Sequence, residues 1–162
     1  MSSQPRTDRL PVGQLLTNLL RLFRTELTAR IEGSPAVAGL RPAHLPIFGT
    51  IKADGSRLTD LANRADLSLS AAAEVIDDLQ AKGYVERRPD PSDRRAKLVC
   101  LTDRGWEAMR AAREAIAGIE AEWGSRLGDG RYSELTAELQ ALLDELDPAV
   151  RRGYKVPPER EA

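Results

Sequence analysis

The 162-residue sequence holds one cysteine, one histidine, two methionines and only 4% aromatic residues. A lone cysteine, Cys100, cannot close an intramolecular disulfide; it fits a reducing compartment and removes the disulfide-framed secreted domains. One histidine, His44, removes every histidine-based metal cluster, and Cys100 cannot supply one alone. No metal and no cofactor is therefore expected. Aliphatic side chains and alanine carry nearly all the apolar content, which predicts a core of packed helices rather than a sandwich or barrel. No run approaches the ~18 apolar residues of a membrane span, and residues 1–13 lack an apolar signal core. The expectation is a soluble, cytoplasmic protein with no membrane partner. Nor is there a nucleophile–base pair, a glycine-rich phosphate loop or a metal-ligand spacing, so the sequence does not read as an enzyme.

Net charge is only −1, yet the charges are segregated. Residues 1–102 carry 15 Lys and Arg against 12 Asp and Glu, residues 103–147 carry 5 against 11, and the remaining tail is +2. Such a division lets one face approach phosphates while another stays acidic, although a merely solvated surface carries the same pattern.

Leu16, Leu20, Phe23, Leu27 and Ile31 recur at helical spacing between Pro11 and the breaker run Gly33-Ser34-Pro35, predicting a long first helix. A second helix opens at Pro42 and runs to about Ala53, with Pro46 inside it at the cost of a hydrogen bond or a bend. Leu58, Leu61, Ala62 and Ala65 predict a short third helix. Ser68 then caps a fourth that runs to about Lys82, with Ala72, Val75, Ile76 and Leu79 inward and Gly83 as a left-handed stop. Two short helices joined by a tight turn read as a helix-turn-helix. Strand-like runs at 84–88 and 97–101 flank a turn at 89–93 rich in proline and aspartate, a β-hairpin. Thr102 caps a long helix through Trp106, Met109, Ile116, Ile119 and Trp123, broken at Gly128-Asp129-Gly130; a last helix carries Tyr132, Leu135, Leu139, Leu142 and Leu146 up to Pro148. A small central domain cannot cover three long terminal helices, which predicts a homodimer.

At the hairpin the stretch Asp93-Arg94-Arg95-Ala96-Lys97-Leu98-Val99-Cys100-Leu101-Thr102 resembles the wing signature of the MarR family of winged helix-turn-helix transcriptional regulators. The preceding Leu79-Gln80-Ala81-Lys82-Gly83-Tyr84-Val85-Glu86-Arg87 is similar to that family's junction between recognition helix and wing. The order of predicted elements matches over nearly the whole chain. The resemblance implies a mainly α fold with a small β-hairpin wing: an N-terminal dimerisation helix at 1–36, a winged helix-turn-helix lobe at 37–104, C-terminal dimerisation helices at 105–147 and a polar tail at 148–162.

The function it implies is a regulator, a repressor released by a small molecule, that grips a pseudo-palindromic double-stranded operator as a dimer. Arg87, Arg88, Arg94, Arg95 and Lys97 are then the wing's contacts with phosphates and the minor groove, and Asp93 holds a neighbouring arginine by a charge-assisted pair. On the recognition helix the outward positions are Leu69, Ser70, Ala73, Glu74, Asp77 and Asp78, and Asp78 stands where many relatives carry arginine. Its three acids must face away or pair with Arg64 or Lys82. DNA contact then falls to Ser68 and Ser70, with Ala71 or Ala73 touching thymine methyls. His44, Phe48 and Trp106 fall on elements resembling the family's effector pocket and point to a small aromatic ligand; ordinary packing is the plainer account of each. Peroxide-sensing relatives resemble one another in a first-helix cysteine, which this chain lacks, so Cys100 reads as a small buried filler. The acidic recognition helix keeps open an alternative, a winged-helix protein-interaction module that does not bind DNA.

Overall fold

A computed structural model of the chain describes residues 9–128 and 130–147; residues 1–8, Asp129 and the tail at 148–162 lie outside it. Helix α1 spans Val12–Ile31 and opens at Pro11, whose carbonyl accepts from the Gln14 and Leu15 amides at 2.9 and 3.1 Å. A 3-10 turn at Pro35–Val37 follows. The second helix is shorter than the predicted 42–53: a 3-10 turn at Pro42–His44 passes into helix α2 at Leu45–Phe48. The cause is Pro46. It has no N–H to give the Pro42 carbonyl, which the Leu45 amide takes up instead at three-residue spacing.

Helix α3 covers Leu58–Arg64 and helix α4 Leu69–Ala81. Between them Asp66 takes the left-handed conformation (φ 53°) that aspartate tolerates better than most residues. Ser68 Oγ accepts from the Ala71 amide at 3.2 Å and so caps α4. At the other end Gly83 has φ 77°, its amide reaching the Gln80 carbonyl while the Tyr84 amide reaches Leu79, both at 2.9 Å. That is a Schellman stop, and glycine supplies the left-handed residue it needs.

Strands β2 (Val85–Asp90) and β3 (Asp93–Leu101) pair antiparallel, with Arg87 opposite Val99, Pro89 opposite Lys97 and a register shift at Pro89/Asp90. They run further than the predicted 84–88 and 97–101, and the turn narrows to Pro91 and Ser92. Pro89 is accommodated because β2 is an edge strand. The other edge of β3 is taken by β1, Ser56–Arg57, giving the order β1-β3-β2. Two residues are too few to show a period, so this strand was not predicted.

Thr102 Oγ1 accepts from the Gly105 amide at 3.1 Å to cap helix α5, Asp103–Leu127; helix α6 is Arg131–Leu146. One core runs from the wing lobe (Ile47, Phe48, Leu61, Ile76, Tyr84, Val99) into the start of α5 (Ala108, Met109). Along the long helices Phe23 meets Trp123 edge-on at 6.1 Å, Trp123 Nε1 donates to Glu26 at 3.2 Å, and Arg30 pairs with Glu122 at 2.7 Å. Helix α6 buries no residue, and its Leu135, Leu139, Leu142 and Leu146 stand exposed, as do Leu15, Leu16, Leu19 and Leu20 of α1. Among the described residues no helix is long and apolar enough to cross a membrane.

Among the described glycines, Gly105 at the joint between wing and α5 has the closest neighbour. A Cβ on Gly105 would lie 2.2 Å from the Tyr84 carbonyl oxygen and 3.1 Å from Leu101 Cδ2. Gly105→Ala is predicted to cost about 1–3 kcal/mol of unfolding free energy in urea titration, with helical circular dichroism retained. An unchanged midpoint would mean that α5 slides there without strain.

Candidate nucleic-acid interface

Helix α4 buries Ala72, Ile76 and Leu79, which leaves Ser70, Glu74 and Asp77 on the opposite, exposed face. Ser68 is exposed at its N-terminus, 3.2 Å from the Ser70 hydroxyl, and Leu69 is 52% exposed beside it. Ala71 and Ala73 are half-buried on the flanks of that face.

Asp78, predicted to point outward, is turned toward the 3-10 turn before α2. One carboxylate oxygen accepts from Lys82; the other accepts from Arg41 Nη2 and, at 2.7 Å, from His44 Nε2. Lys82 first, with Arg41 and His44, holds this carboxyl far below the usual range despite its partial desolvation. Arg64, the other predicted partner, instead donates to the Thr50 carbonyl at 3.1 Å. Asp77 accepts from Arg87 Nη2 at 2.6 Å, and Gln80 Oε1 from Arg87 Nη1 at 2.7 Å. Arg87, predicted as a DNA contact, thus ties the wing to α4. For Glu74 no partner is recorded among the described residues.

In the wing a charge-assisted pair is made by Asp90 with Arg57. Its Oδ2 accepts from Arg57 Nε and Nη2 at 2.8 and 2.6 Å, and its Oδ1 from the Ser92 amide and hydroxyl at 2.8 and 2.6 Å. Asp90 is only 5% exposed, and the Ser92 hydrogen bonds, reinforced by Arg57, hold its carboxyl at about 2. Asp93 Oδ1 accepts from the Arg95 backbone amide at 3.0 Å, which shapes the tip. The Asp90-Pro91-Ser92 run could have signalled the turn; nothing local could have named Arg57, 33 residues away. Arg88 pairs with Glu86 on its own strand, Nε to Oε1 at 2.8 Å. Arg95 and Lys97 are exposed on β3, and no ion pair is recorded for either among the described residues. Arg94 lies on the same strand, its side chain outside the described residues.

The two cavities described among these residues do not bring the three predicted effector residues together. Phe48 is buried edge-on against Tyr84, centroids 6.0 Å apart. Half-buried Trp106 lines a cavity of about 460 Å³ behind the wing with Arg88, Leu98 and Cys100, and neither His44 nor Phe48 is in that lining. Cys100 is buried there, which pushes its thiol up. His44 is 1% exposed; its Nδ1 accepts from the Arg41 amide at 2.9 Å, so Nε2 carries the hydrogen given to Asp78. A separate groove of about 410 Å³ lies between the end of α1 and the two 3-10 turns, lined by Ile31, Val37, Leu40, Arg41 and Leu45 among others.

A capped helix with an exposed polar face, standing beside a two-stranded ribbon with basic residues at its tip, defines a winged helix-turn-helix, the architecture of a DNA-binding protein. Comparison with known proteins gives the family. The model described as the MarR family matches residues 38–96. Over 136 residues the chain is 30% identical to the transcriptional activatory protein BadR of Rhodopseudomonas palustris, covering 78% of this chain and 75% of that protein. It is 33% identical over 82 residues to the transcriptional repressor MdtR of Bacillus subtilis, covering 48% of this chain and 53% of that protein. Among solved structures, a Mycobacterium tuberculosis MarR family protein in complex with salicylic acid is similar with a TM-score of 0.62 at 25% identity, covering 83% of this chain and 98% of that one. The chain belongs to the MarR family of DNA-binding transcriptional regulators.

Burial is the largest influence on His44 and pushes its imidazole below the ordinary 6.5, with the nearby Arg41 and Lys82 charges acting the same way against the pull of Asp78. A pKa lower in the folded than the unfolded chain makes its stability contribution fully present above 6.5 and lost as pH falls below that value. Folding stability is therefore predicted to decline on acidification from 6.5, and His44→Gln should flatten that limb in denaturant titrations across pH. His44 is the sole histidine, so an unflattened limb would place the proton uptake on another kind of group.

Proposed function

We propose that the chain is a dimeric, cytoplasmic repressor that holds a pseudo-palindromic operator with two α4 helices and two wings and is released by a small aromatic acid. The observation that carries this is the charge distribution of the wing lobe. Arg57, Arg87 and Arg88 are each occupied by an acid of this chain, while Arg95 and Lys97 are exposed without one among the described residues. Arg95 and Lys97 are the groups available to phosphates and the minor groove, with Arg94 a further cation of the same strand, and Asp93 shapes the tip that presents them. Arg87 serves first to hold the wing to α4, and Arg88 is paired with Glu86 on its own strand. Ser68 and Ser70 meet phosphate or base edges at the positive end of α4, with Ala71 and Ala73 beside them. The exposed leucines of α1 and α6 are covered by a second copy. Repression is the reading because a dimer seated across a promoter excludes polymerase by bulk alone.

For the effector, the groove at the end of α1 offers an apolar wall and one guanidinium. Arg41 lines it and also holds Asp78 of α4. A ring-bearing carboxylate entering there competes with Asp78 for Arg41 and frees the recognition helix from the turn before α2. The salicylic acid complex of the mycobacterial relative supports this ligand class. Salicylate is predicted to weaken operator binding by the parent, and Arg41→Ala to abolish that response while binding DNA without it. Equal salicylate sensitivity in gel shifts of the two proteins would remove Arg41 from the relay.

Arg95→Ala should leave folding and dimerisation intact and weaken operator binding by about 1–3 kcal/mol per wing. A phosphate contact would also lower the salt slope by about one unit per wing. Parent-like affinity at every salt concentration would take the wing off the DNA and favour the protein-interaction reading.

A further inference from the structure

We infer that Glu74 is a specificity-determining residue that selects a cytosine at one position in each half of the operator. The inference rests on the reading of α4 as the helix that enters the major groove, and it adds what that helix selects.

Of the acids on α4, two are neutralised within the chain. Asp77 is held by Arg87, and Asp78 by Lys82, Arg41 and His44. Glu74 is exposed in the first half of the 13-residue helix, on the face opposite Ala72, Ile76 and Leu79, with no partner recorded among the described residues. One turn earlier stands the small Ser70, and next to it the half-buried Ala73, so neither side screens its carboxylate. N-terminal residues of a recognition helix are the ones that reach base edges.

An uncompensated carboxylate in a groove walled by phosphates is repelled, and only a hydrogen-bond donor on a base edge offsets that cost. The major groove gives few such donors. Guanine presents N7 and O6, both acceptors, and thymine presents O4 and a methyl group. Adenine places its N6 amino donor beside the N7 acceptor. Cytosine alone presents the N4 amino group without an acceptor beside it. A carboxylate therefore rejects guanine and thymine, tolerates adenine poorly and accepts from cytosine. A two-fold dimer places that cytosine symmetrically about the operator centre.

The test is selection of bound sequences from random duplex DNA by the full-length dimer, run in parallel for the parent, Glu74→Ala and Glu74→Gln. The parent should return a palindrome with one dominant cytosine per half-site. Glu74→Ala should return the same palindrome with that position degenerate, a loss of roughly 5- to 100-fold in discrimination there. Glu74→Gln should shift the same position toward adenine, because an amide both accepts from N6 and donates to N7. If both variants return the parent's palindrome with every position unchanged, Glu74 reads nothing and the inference falls, while α4 as the reading helix survives. A parent that selects no sequence at all would overturn both. Glu74 lies on the surface, and circular dichroism confirms that each variant is folded before its selection is scored.

Discussion

One carboxylate ties the recognition helix to the turn before α2. Asp78 gathers a lysine from its own helix, an arginine and a buried imidazole from the turn before α2, and so converts an acid that would repel DNA into a tether. The tether is directional as well as ionic. His44 can donate from Nε2 only because Nδ1 is occupied by the Arg41 amide, and the Arg41 amide is in place only because Pro42 starts a 3-10 turn there. Removing Asp78 leaves the Nε2 hydrogen of the buried His44 without its acceptor, which is costlier than the pair is favourable. Arg41 belongs at once to this tether and to the lining of the groove at the end of α1.

Wing and helix behave as one unit for related reasons. Arg87 reaches from β2 to Asp77 and Gln80 of α4, and Arg57 reaches from β1 to Asp90 at the tip, so the ribbon is anchored at base and end. Behind it Tyr84 is buried, its hydroxyl giving a hydrogen bond to Ala38 at 2.9 Å and its ring lying 4.5 Å beneath the Arg104 guanidinium. The Tyr84 carbonyl accepts from Thr102, the cap of α5, at 3.1 Å, and the Thr102 hydroxyl gives to Gly83 at 2.6 Å. A shift of α5 is therefore felt at the end of α4 through a few short bonds. Arg104 and Ala38 bring the segment between α1 and α2 into the same joint.

What could be read without coordinates was whatever is encoded locally. The 3.6-residue stripe of α4, the Ser68 and Thr102 caps and the Gly83 stop are all signals within a few residues of the feature they make, and each is found where its signal lies. Arg57–Asp90, His44–Asp78 and Trp123–Glu26 span 33, 34 and 97 residues, and no local pattern distinguishes their members from other charged or aromatic residues. For that reason neither Arg57 as the partner of Asp90 nor Asp78 as the partner of the buried His44 is legible in the sequence. Helix α2 is a different failure: Pro46 was recognised as a disturbance, but its consequence, a 3-10 turn that stops after one helical turn at Gly49, depends on which carbonyl loses its donor.

Near-zero net charge and DNA binding are compatible because the phosphate backbone responds to local charge within a Debye length of about 10 Å. Acids on the α4–wing surface are mostly consumed by internal pairs, so each subtracts a neighbouring cation instead of facing the duplex. In the proposed reading, what is left to face the DNA is a small set of exposed groups, Arg95 and Lys97 on one side and Glu74 on the other. A surface built this way spends little on indiscriminate attraction, since one uncompensated acid beside two cations lowers affinity for every sequence that offers it no donor. The pairing inside the lobe thus sets its stiffness and, by elimination, determines which charges are free to discriminate.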